Sequence, residues 1–121
     1  MASEDLYRRY IAGMNDADAD AVAGLFAEDG VYVEPFTSGG RPNEIRGREA
    51  IRGYFEESVR MRPADMTVSV DRVDVDGETV RTEWTCTSEE WDRPMRGHDV
   101  MQMIDGVIRR LEVSLDQGEH L

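Results

Sequence analysis

Glu34 closes the short β-branched run Val31-Tyr32-Val33 and stands directly before Pro35. Strand side chains alternate between faces, so Tyr32 and Glu34 share one side and Val31 and Val33 the other. Tyr10 lies in the middle of an apolar stripe formed by Leu6, Tyr10 and Met14, with Tyr7 and Ile11 beside it. Its ring therefore faces inward and its hydroxyl needs a partner. Asp99 falls in phase with Met101 and Met103. Two carboxylates and a phenol turned toward apolar surroundings are groups suited to proton transfer, with a base to take a proton and donors to steady the charge that develops. Each also has a plainer reading. Tyr10 can be a core tyrosine bonded to a carbonyl, Glu34 a strand-end carboxylate facing solvent or an arginine, and Asp99 a buried acid paired with an arginine such as Arg109.

The elements that must carry these residues follow from periodicity. Ser3 is placed to cap a first helix, with Glu4 and Asp5 in its first turn, and Asn15-Asp16 ends it. Asp18 opens a second, shorter helix with Val22, Leu25 and Phe26 on one face, closed by Gly30. The strand 31–35 comes next, then a Gly- and Pro-bearing segment from Phe36 to Gly47, long enough to form a lid. Arg48 to Arg60 reads as a third helix, stopped by Pro63. From Met66 the period becomes two, with a slip near Asp71-Arg72 that predicts a bulge, and a turn at Asp76-Gly77. The next strand sets Val80, Thr82, Trp84 and Cys86 on one face, and another runs from about Met95 to Met103.

For the last turn, a two-residue loop at Asp105-Gly106 would set Asp99 opposite Glu112, a like-charge clash. A three-residue loop over 104–106 pairs Met103 with Val107 and Asp99 with Leu111. Asp99, Met101 and Met103 then share a face with Leu111, Val113 and Leu115. The predicted architecture is α+β, one domain over residues 1–121: a curved antiparallel sheet wrapped around three N-terminal helices. Such sheets leave a cavity at the open end, suited to a small apolar ligand. The side chains expected to bind that ligand are Phe26, Tyr54, Phe55, Trp84, Met101, Leu111 and Val113.

Composition narrows the partners. The net charge is −12 over 121 residues, and all 14 basic residues are arginine. That balance repels phosphate backbones and anionic membrane surfaces, so neither nucleic acid nor a membrane is an expected partner. The lack of lysine excludes a Schiff-base mechanism. No apolar run approaches the roughly 20 residues that span a bilayer, and MASEDLYRRY lacks the layout of a secretory signal. The expected location is cytoplasmic. A lone cysteine, Cys86, cannot form an internal disulfide and reads as a small core residue. His98 neighbours Asp99 and so points to the opposite face. No His-x-His or Glu-x-x-His spacing suggests a metal site.

With these residues placed, the run RRYIAGMNDADADAVAGLFAEDGVYVEP resembles the opening of bacterial ketosteroid isomerases (steroid delta-isomerases) of the nuclear transport factor 2-like, SnoaL-like superfamily. GHDVMQM and RRLEVSL extend the likeness over nearly the whole chain. The resemblance implies a cone-shaped α+β barrel with Tyr10, Glu34 and Asp99 as catalytic residues, no metal or organic cofactor, and a homodimer. It implies that Glu34 moves a proton next to a carbonyl of an apolar molecule, for example a 3-oxo steroid. Tyr10 and a neutral Asp99 would donate to the oxygen, the arrangement for which ketosteroid isomerase is the standard example. Glu34 stands where that family usually has aspartate, one methylene shorter, and the third helix carries Phe55, with Tyr54 beside it, where a second tyrosine is common. Similar domains include polyketide-cyclase-like enzymes, in which an inward aspartate does acid–base work, and non-catalytic binders of small molecules. These are the alternatives to the isomerase.

Overall fold

The computed structural model describes residues 2–116. The helices are α1 (Ser3–Asn15), α2 (Ala19–Ala23) and α3 (Arg48–Met61). The strands are β1 (Phe26–Glu34), β2 (Asn43–Arg46), β3 (Thr67–Asp76), β4 (Thr79–Thr87), β5 (Met95–Ile104) and β6 (Val107–Leu115). They form one sheet in the order β2-β1-β6-β5-β4-β3. The architecture is α+β, with an open, curved sheet and the helices against one face.

Three local expectations change. Ser3 is not the cap of α1: Ala2 holds that position, and the Ser3 hydroxyl donates to the Gly77 carbonyl at 2.8 Å, pinning the helix start to the β3–β4 turn. Asp18 does cap α2, accepting from Ala21 N–H at 3.0 Å, but that helix ends at Ala23. Phe26 is therefore the first residue of β1, paired with Ile108 of β6. Gly30 terminates nothing. It lies in the irregular part of β1, where a Cβ would sit 3.1 Å from the Ile108 carbonyl oxygen, so its lack of a side chain lets two backbones approach. The segment from Phe36 to Gly47 is only in part a loop, since its second half is β2, antiparallel to β1.

The sheet is also not wholly antiparallel. β1 and β6 run parallel, joining the start of the chain to its end across everything between. The bulge predicted near Asp71 is present between Val70 and Arg72. Val80, Thr82, Trp84 and Cys86 all face the core. The last hairpin has a two-residue loop, Asp105-Gly106, with both residues in the left-handed region that such a turn demands. A second irregularity between Gln102 and Met103 then advances the register by one, so Asp99 stands opposite Val113 rather than Leu111 or Glu112. The like-charge clash is avoided by a bulge, not by a longer loop. Beyond the bulge this register differs from the expected one by two residues, so those side chains keep their faces; between the bulge and the turn it differs by one, and Ile108 turns into the core instead. Asp99, Met101, Leu111 and Val113 are buried together.

Asn15 ties the end of α1 to the sheet's far edge. Its amide donates to the Val68 carbonyl at 3.0 Å and accepts from Val68 N–H at 2.7 Å, standing in for a strand neighbour of β3.

Candidate active site

A cavity of about 360 Å³ opens between α1, α3 and the concave face of the sheet. Its walls are almost wholly apolar. Tyr54, Phe55, Trp84 and Val113 line it as expected, together with Tyr10 and Asp99. Phe26, Met101 and Leu111 do not reach it: each is fully buried in the core beneath. Met101 and Leu111 do lie on the inward face of the sheet, and Phe26 reaches the core from β1 rather than from a helix, but at their levels the sheet is already covered by packed side chains.

Asp99 projects from the middle of β5 and is 2% exposed. No arginine bonds it among the described residues. Its Oδ2 accepts from the Tyr7 hydroxyl at 2.8 Å and its Oδ1 from the Trp84 indole N–H at 2.9 Å. The Tyr7 hydroxyl in turn accepts from Thr82 Oγ1 at 2.8 Å. Burial pushes the Asp99 carboxyl up to about 6, and the Tyr7 and Trp84 hydrogen bonds hold it from rising further. Desolvation thus acts in the anticipated direction.

Tyr10 does not bond Asp99 directly. Its hydroxyl lies near that of Tyr32 from β1, and burial pushes both phenols well up, so both stay neutral across the physiological range and can donate. Tyr54 stands next along, its ring centroid 5.5 Å from that of Tyr32. The partner tyrosine thus comes mainly from β1 rather than from the third helix.

Glu34 is also fully buried, yet it is not among the residues lining the cavity. Its Oε2 accepts from the backbone N–H groups of Phe36 and Thr37, the latter at 3.1 Å. Its Oε1 accepts from the Thr37 hydroxyl and from Asn43 Nδ2, the latter at 3.2 Å. A carboxylate offers about four lone-pair positions, and here four donors occupy them. Glu34 therefore organises the β1–β2 connection, whereas Asp99 keeps about two positions free.

The residues not singled out for the site beforehand are Tyr7, Tyr32 and Thr82. One signal was available for Tyr7: it precedes Tyr10 by three residues and so shares its helix face. His98, as anticipated, turns to the other side of β5, where Nδ1 lies 3.2 Å from Asp116. Cys86 lines the cavity with its thiol pushed up to about 11 by burial, which leaves it un-ionised. Among the described residues no three His, Cys, Asp or Glu side chains group as they would around a metal ion, and no helix is long and apolar enough to cross a membrane.

The sequence profile of the SnoaL-like domain matches residues 7–111. The chain belongs to this SnoaL-like family. Among curated proteins no match is found. Solved structures with the same fold include a protein from Sphaerobacter thermophilus, 25% identical, with a TM-score of 0.76 over 100% of this chain and 97% of that one. Another, from Kribbella flavida, is described provisionally as a ketosteroid isomerase; it is 24% identical, with a TM-score of 0.75 over 98% and 81%. A third is SalBIII, an epoxide hydrolase/cyclase-like enzyme of pyran ring formation in salinomycin, 21% identical, with a TM-score of 0.75 over 95% and 91%. At these identities the last two establish the shared fold of this SnoaL-like chain and no particular reaction.

Proposed function

We propose that this SnoaL-like protein is an acid–base enzyme that moves a proton next to a carbonyl of an apolar small molecule, with Asp99 as the proton acceptor. The observation that carries this is the contrast between the two buried carboxylates. Asp99 faces the cavity with lone pairs to spare, while those of Glu34 are filled. Asp99 takes the proton from the carbon beside the carbonyl. The bonding pair moves toward the oxygen, and the neutral Tyr10–Tyr32 pair donates to the charge that develops there. The resulting enolate either regains the proton from Asp99 at a conjugated carbon, an isomerisation, or its carbon bonds a second carbonyl carbon, whose π pair moves to oxygen and takes up the proton from Asp99, a ring closure. This assignment lies nearer to the cyclase-like alternative than to an isomerase with Glu34 as base, since Glu34 would have to surrender a hydrogen bond to act.

The test is carbon-bound hydrogen exchange in deuterated buffer on an apolar cyclic ketone, alongside conversion of a β,γ-unsaturated 3-oxo steroid followed by absorbance. Wild type, Asp99→Asn and Glu34→Gln are compared. Proton transfer by Asp99 predicts catalysed exchange, reduced at least about 100-fold in Asp99→Asn. Residual activity in Glu34→Gln should scale with its folded fraction. The ionised form is the active one, so kcat/KM should fall as pH drops through about 6. Activity that survives Asp99→Asn but vanishes in folded Glu34→Gln would reverse the assignment. No exchange above buffer by folded wild type on any ketone tried would remove it.

A further inference from the structure

Among the described residues three charged side chains reach the cavity wall: Asp99, Glu57 and Arg62. Glu57 is exposed at the rim and its carboxylate is engaged by Arg60. Arg62 is the sole cation among the described lining residues. Its position follows from the chain. Pro63 denies the preceding residue a helical backbone, so Arg62 ends α3 in an extended conformation (φ −91°, ψ 160°). Its side chain then crosses to the end of α1, where Nη2 donates to the Met14 carbonyl.

That contact uses one of the five guanidinium N–H donors. No carboxylate lies within ion-pair distance among the described residues, although the chain carries a net charge of −12 and six other arginines do form ion pairs. Arg62 is half-buried, and its anchor Met14 adjoins Asn15, which bonds Val68, the residue paired with Cys86 across β3 and β4. Cys86 lies four residues along β4 from Thr82, the residue opposite Asp99. At about 3.3 Å per residue, the two levels are about 13 Å apart. The cavity therefore has a base at one end, a cation with unused donors near the other, and apolar walls between.

We propose that the ligand of this cavity is an apolar organic acid, its carboxylate held by Arg62 and its reacting end beside Asp99. The assignment of the reacting end rests on Asp99 being the base; the carboxylate site does not. A guanidinium presents paired N–H groups that match a carboxylate, and partial burial strengthens the contact over one made in open water.

The experiment is fluorescence titration with two probes of one shape, pyrenebutanoate and pyrenebutanol, which needs no turnover. Wild type should bind the acid at least as tightly as the alcohol, against its own net negative charge. Arg62→Gln keeps an N–H for the Met14 carbonyl and removes the charge. It should weaken the acid about ten-fold and leave the alcohol within about two-fold, the alcohol reporting that the cavity is intact. Arg62→Lys should retain most of the affinity for the acid. Weaker binding of the acid than of the alcohol by wild type would overturn the proposal even if the variants do not fold. Equal weakening of both probes in Arg62→Gln would reduce Arg62 to a strap on α1. Saturable binding of neither probe by wild type would remove the cavity as a ligand site and the proposed function with it, whereas normal binding without exchange activity would remove only the latter.

Discussion

Asp99 illustrates how burial and hydrogen bonding divide the work at a single residue. Desolvation raises the carboxyl from 3.8 to about 6, while two donors limit the rise and fix the orientation. Stability follows from the same shift. A carboxyl whose folded pKa lies above its unfolded value contributes fully below about pH 3.8, and that contribution is lost as pH rises through about 6. Asp99→Asn removes the ionisation. The amide carbonyl can still accept from Trp84, and Tyr7 can accept from the amide N–H while its own hydroxyl turns to Thr82. At pH 8 the variant should therefore exceed wild type in stability by up to about 3 kcal/mol, with the gap closing toward pH 4 in urea melts. A variant less stable than wild type at pH 8 would mean that the two hydrogen bonds outweigh the cost of the buried charge. Glu34 shows the opposite solution: a carboxylate just as buried, enclosed by four donors within nine residues of itself.

Among the elements, β5 is held in place by the absence of one side chain. A Cβ on Gly97 would lie 2.3 Å from the Ser114 carbonyl oxygen and 2.4 Å from the Trp84 ring. Gly97 thus lets the indole lie flat across β5 and reach Asp99 two residues on. Gly97→Ala should cost about 1–3 kcal/mol by overpacking. By displacing Trp84 it should also remove a donor that holds the Asp99 pKa down, so the acid limb of the rate profile should move above pH 6. An unchanged limb in a destabilised variant would show that Trp84 keeps its bond. The β5–β6 hairpin carries a related lesson. Two residues in the turn and one bulge produce the inward face that a three-residue turn was expected to produce, because either route preserves parity.

For the molecule as a whole, charge works against compactness. The ion pairs formed to offset it are between largely exposed groups and contribute little in water. Raising sodium chloride from about 0.05 to 0.5 M should therefore increase Tm by a few degrees through screening of self-repulsion. A fall in Tm over that range would indicate that the surface ion pairs outweigh the repulsion. Against this acidic background Arg62, the one cation among the described residues that line the cavity, stands out.

Local patterns in the sequence were sufficient for much of this architecture. The 3.6-residue stripe of α1 and α3, the alternation through β3 and β4, the slip at Asp71 and the Gly77 turn each depend on neighbours a few residues apart. So does the inward parity of Tyr10, Glu34 and Asp99. What only the tertiary structure decided is who meets whom. The parallel pairing of β1 with β6 joins distant segments that no local period relates. The short β2 lies hidden in a segment rich in turn residues. Tyr7 bonds an aspartate 92 positions away, and the Glu34 lone pairs are taken up by donors of its own connection. Periodicity tells which face a side chain occupies, but a proton moves according to which lone pairs remain free, and that is set by partners brought together only when the sheet curls around its helices.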